Sequence, residues 1–97
     1  MSTYILHINW TDQGIRRVKD SPTRLDAAKM ELKKMGGKLK AFYLTQGMHD
    51  ALIILEVPND MILARFLLEL GSRGNVRTTT VKAYSEAEYR KIIASLS

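Results

Sequence analysis

The chain has 97 residues, with 15 Lys and Arg against 10 Asp and Glu, a formal net charge of +5, two histidines and no cysteine. That length predicts one domain over residues 1–97, small enough that roughly a third of the surface of the unfolded chain stays wet and self-association would help. Without cysteine there is no disulfide framework, thiolate metal site or Cys nucleophile, and two histidines supply no structural metal centre, so no cofactor is expected.

Tyr4, Leu6, Ile8 and Trp10 alternate with Ile5, His7 and Asn9, the period-two pattern of a first strand. No basic and apolar leader precedes it, and no apolar cluster approaches the length of a membrane span, so a soluble, cytoplasmic chain with no membrane partner is expected. After Thr11 the pattern stops and Asp12-Gln13-Gly14 opens a long connection. Ser21-Pro22 offers an N-cap and a first-turn proline for a helix whose apolar positions are Leu25, Ala28, Leu32 and Met35, closed by Gly36-Gly37.

A second strand runs from about Lys38 to Thr45 and a third from about Asp50 to Val57, joined across Gly47. Asn59 or Asp60 caps a helix with a broad apolar face of Ile62, Leu63, Phe66, Leu67 and Leu70, ended by Gly71 and Gly74. Val76 to Tyr84, rich in β-branched residues, is the fourth strand. Ser85-Glu86-Ala87-Glu88 is a capping box that starts a third helix, with Tyr89, Ile92, Ile93 and Leu96 expected on its inner face.

The order β-α-β-β-α-β plus a C-terminal helix is the ferredoxin-like α+β pattern. Right-handed crossovers put the first and third strands in the centre, antiparallel, with the second and fourth outside. The third strand is apolar at every position from Ala51 to Leu55, so both its faces seek cover, although one layer of helices covers one face only. A second copy of the chain is the expected partner for the other face.

In this topology the end of the first strand, the turn between the second and third, and the start of the fourth meet at one end of the sheet. That rim gathers the candidate ligand-binding residues Trp10, Tyr43, His49, Asp50, Arg73 and Arg77. Arg73 and Arg77 are the candidates for holding an anion. Asp50 is expected to bond turn amides, and Trp10 to anchor a core or an interface. His7 faces away from Trp10 and reads as a hydrogen-bonded structural histidine. His49 and Asp50 point to opposite sides and do not chelate a metal together.

Other chemistries fail on detail. Gly71-Ser72-Arg73-Gly74 lacks the Lys-Ser/Thr ending of a P-loop and precedes a strand. The positive charge is spread among carboxylates as solvated faces. The third strand carries no aromatic residue for stacking bases, so no nucleic-acid partner is expected.

These residues resemble the GYD-domain family. The likeness rests on Trp10-Thr11-Asp12-Gln13-Gly14-Ile15-Arg16, Val18-Lys19, Ser21-Pro22, Gly37-Lys38, Phe42-Tyr43-Leu44-Thr45, the Gly47 to Asp50 turn, and Gly71 with Gly74-Asn75-Val76-Arg77-Thr78. The resemblance implies a dimeric α/β barrel of ferredoxin-like domains, in a family without a settled biochemical function, and brings no catalytic residues with it. One departure is visible: His49 stands where the family's Gly-x-Tyr-Asp turn has tyrosine. The function expected is an oligomeric module, either small-molecule-binding or regulatory, for a small anionic or apolar ligand. The alternative is a cofactor-free enzyme, monooxygenase- or isomerase-like, using His49 or His7 as acid–base and Arg77 as anion holder.

Overall fold

The computed structural model describes residues 1–97. The elements are β1 (Ser2–Trp10), α1 (Asp12–Arg16), a 3-10 turn (Val18–Asp20), α2 (Ser21–Lys34), β2 (Lys38–Leu44), β3 (Ala51–Val57), α3 (Asp60–Ser72), β4 (Val76–Ala83) and α4 (Glu86–Ala94). The strands form one sheet in the order β2-β3-β1-β4, antiparallel throughout. The ferredoxin-like expectation holds, with β1 and β3 in the centre.

The alternation along β3 fixes the facing. Ala51, Ile53, Leu55 and Val57 are buried, while Leu52, Ile54 and Glu56 are half-buried. The first set joins Leu6 and Ile8 of β1, Ala28 and Leu32 of α2, and Leu63 and Phe66 of α3 in one core. Both long helices therefore lie on the same face. Register places Ile5 between Ile54 and Val81, and His7 between Leu52 and Thr79, on the opposite, open face. A register shift between Leu39 and Ala41 rotates β2 so that Ala41 and Tyr43 join that open face, and Phe42 turns toward the helices.

Three local expectations need correction. The connection after Thr11 is not open loop: Thr11 caps α1 by accepting from the Gly14 amide, and the turn docks on the start of β4. Gly14 is required there, because a Cβ would lie 1.9 Å from the Asn75 carbonyl oxygen. Ser21 is not the cap of α2; the 3-10 turn runs straight into the helix, leaving Ser21 at φ −60°, ψ −35°.

The third correction concerns α4. Its capping box forms, with the Ser85 hydroxyl accepting from the Glu88 amide at 3.1 Å and the Glu88 carboxylate from the Ser85 amide at 2.9 Å. The expected inner face does not pack on the chain's own body: Tyr89, Ile92, Ile93 and Leu96 are all exposed. The chain leaves the sheet from β4, an edge strand, and α4 follows with no residue of its own buried.

Candidate functional site

The three connections do meet at one end of the sheet, tied by hydrogen bonds. The Asp50 carboxylate accepts from the Trp10 amide at 2.9 Å, and the Asp50 amide donates to the Ile8 carbonyl at 2.8 Å. Asp50 is thus a latch, binding an amide of β1 rather than of its own turn. Gln13 Nε2 donates to the Arg73 carbonyl and to Asn75 Oδ1, both at 3.0 Å, and joins α1 to the start of β4. Thr45 Oγ1 donates to the His49 carbonyl at 2.8 Å and fixes the β2–β3 turn.

The six candidate residues do not form a single site, because the sheet separates them. Tyr43, opposite Leu52, and Arg77, opposite Asn9, point to the open face. His49 joins them there. Its ring stacks on His7 with centroids 4.5 Å apart and planes 23° from parallel, and its Nδ1 lies 2.8 Å from Asn9 Oδ1. Trp10 and Arg73 lie on the helix side. Arg73 and Arg77 therefore cannot grip one anion together. Arg73 is also paired already, with Glu31 and, at 3.8 Å, Glu69. No group of three or more metal-ligating side chains converges anywhere.

On the helix side, α2, α3 and the sheet border a half-open cavity of about 310 Å³ at the loop-rich end. Trp10 and Phe42 give it aromatic walls, while Ala27, Ala28 and Ala51 leave the room that larger side chains would fill. Its polar residues are Ser21, Asn75 and two arginines, Arg24 and Arg73; neither a carboxylate nor a histidine lines it. Arg24 was not among the sequence candidates. A signal for it existed, since Arg24 precedes Ala28 by one helical turn and so shares the inward stripe of α2. The His7–His49 stack had no such signal, because His49 lies in a turn whose direction no periodicity gives.

Comparison with known proteins follows the same outline. The family model described as GYD domain matches residues 4–93. A relative from Thermus thermophilus named "Glutamine synthetase and cystathionine beta-lyase binding protein" is 32% identical over 89 residues, which cover 91% of this chain and 94% of the relative. Among solved structures, a feast or famine regulatory protein from M. tuberculosis complexed with L-methionine superposes with a TM-score of 0.66 at 20% identity, over 89% of this chain. The chain spans about half of that regulator, 54% of its length. A hypothetical protein from Pyrococcus horikoshii superposes with a TM-score of 0.57, also at 20% identity, over 89% of this chain and 93% of the other. At that identity the two structures speak for the fold alone.

Proposed function

The chain belongs to the GYD-domain family, and from that premise we propose that it is a homo-oligomeric regulatory module that binds small molecules, two copies meeting through the open faces of their sheets. The observation that carries this is the open face itself. Ile5, Leu52, Ile54 and Val81 lie there side by side, with both long helices on the other side of the sheet. Burying the remaining surface of each such side chain contributes about 1 kcal/mol, and a patch of this kind is seldom left to water. The uncovered stripe of α4 gives a second copy a further surface to cover.

A binding role fits better than catalysis, because the helix-side cavity reaches neither histidine and so has no acid–base side chain of that kind beside it. A relative whose name records the binding of two enzymes supports the same class, a module that acts by engaging other molecules. No helix is long and apolar enough to cross a membrane, and work in the cytoplasm suits a chain without cysteine. Native mass spectrometry of the protein purified from its own host tests the reading. A homo-oligomer, with any retained small molecule as added mass, is expected. A single-copy species with no added mass, persisting at every concentration, would overturn it.

A further inference from the structure

We propose that the helix-side cavity takes a small amphipathic monocarboxylate without an α-ammonium group, its apolar part between Trp10 and Phe42 and its carboxylate on Arg24. This deepens the small-molecule side of the function proposed above and rests on it, but it needs only one copy of the chain.

The walls set the apolar half of the ligand. A cavity of about 310 Å³ floored by Ile53 and Ala51 and walled by aromatic rings lies at the small end of the range for ligand sites. It is too small and too apolar for a nucleotide. The charge half is set by the two arginines, which are not equivalent. The Arg73 guanidinium is paired with Glu31 and Glu69. Arg24 is half-buried and donates only to backbone carbonyls, to Arg17 at 2.9 Å and Gly14 at 3.5 Å, with no carboxylate in ion-pair range. One unneutralised cation over an apolar floor matches one negative charge, held by charge-assisted hydrogen bonds. A neutral ligand would desolvate that guanidinium without compensation.

The lining also argues against a free amino acid. An ammonium group calls for a counter-charge, yet no carboxylate lines the cavity, and of its neutral side-chain acceptors, Ser21 and Asn75, the latter is already engaged by Gln13. What remains is a compact aromatic or branched aliphatic acid.

Trp10 is the chain's single tryptophan and lines the cavity, so its fluorescence reports occupancy directly. The probes are 3-phenylpropionate, its uncharged amide and L-phenylalanine. A saturable change is expected, with the acid bound at least about tenfold more tightly than either of the others. Arg24→Gln keeps amide donors toward the α1 connection but removes the charge. It should cost the acid about tenfold in affinity, leave the amide unchanged and so erase the preference. Ala27→Phe, which puts a ring into the mouth, should weaken every probe, and Arg77→Ala, on the other face, should change none.

Equal affinity for acid and amide, or no saturable change, would overturn the proposal. So would a loss on Arg77→Ala with none on Arg24→Gln, which would move the ligand to the open face. If Arg24→Gln fails to fold, the acid-to-amide ratio of the unaltered protein decides. Sedimentation of the same samples reads pairing separately: selective binding by a monomer sinks the pairing alone, and a dimer without selective binding sinks the ligand alone.

Discussion

On one side of β3, Ala51, Ile53, Leu55 and Val57 lie under α2 and α3 and complete a core from a single chain. On the other side, Leu52 and Ile54 are as apolar as their neighbours, yet they face outward beside Ile5 and Val81. A strand half-covered by its own helices normally alternates apolar and polar residues; this one does not until Glu56. On the function proposed above, the difference is what an uninterrupted apolar run in an α+β sheet encodes: one face for folding and one for association.

The sharpest way to break that comparison is to place the same charge on each side of β3. Ile53→Asp buries a carboxylate in the core with no partner and should destabilise the fold by about 4 kcal/mol or more, read as loss of the cooperative urea transition. Leu52→Asp should leave the far-UV circular dichroism intact and instead weaken assembly, by about 2 to 3 kcal/mol per pair as two charges enter one interface, read as a dimer-to-monomer shift in sedimentation. If the two variants behaved alike, the two faces would not differ in role.

Gly14→Ala probes the rim that joins both faces. Its Cβ would meet the Asn75 carbonyl, and the α1 turn must lift from β4, so about 2 kcal/mol of stability should be lost in a denaturant melt. The smallest effects belong to α4. Ser85→Ala removes the hydroxyl half of the capping box and should cost about 1 kcal/mol of helix stability, visible as fraying in amide exchange. The Ser85 backbone amide and then its hydroxyl hold the Glu88 carboxyl below the ordinary glutamate range. A depressed carboxylate stabilises the fold above its unfolded pKa and loses that contribution as pH falls through the folded value, so α4 should fray first on acidification. Glu88→Gln should remove that pH dependence.

Much of this was legible in the sequence because it depends on local pattern. A period-two run gave β1, β-branched residues gave β4, an Asn59 or Asp60 cap and the Ser85 capping box gave the starts of α3 and α4, with Asn59 the cap that forms, and chain order gave the sheet topology. The misses share a physical cause, which is contact between segments remote in sequence. α1 is one turn held by Thr11 and the start of β4, too short to show periodicity. The amphipathic stripe of α4 says that it seeks cover but not that its own chain leaves it exposed. The candidate site divided because all six residues lie at one end of the sheet, but only side-chain direction tells which face each serves. A one-residue shift in β2 decides that for Tyr43 and Phe42.

The claim that the open face is an interface between copies is tested most directly by sedimentation equilibrium of the unaltered protein across micromolar concentrations, with Leu52→Asp run beside it. A dimer or higher homo-oligomer that Leu52→Asp dissociates without unfolding is expected. A stable monomer for the unaltered chain throughout that range would contradict it.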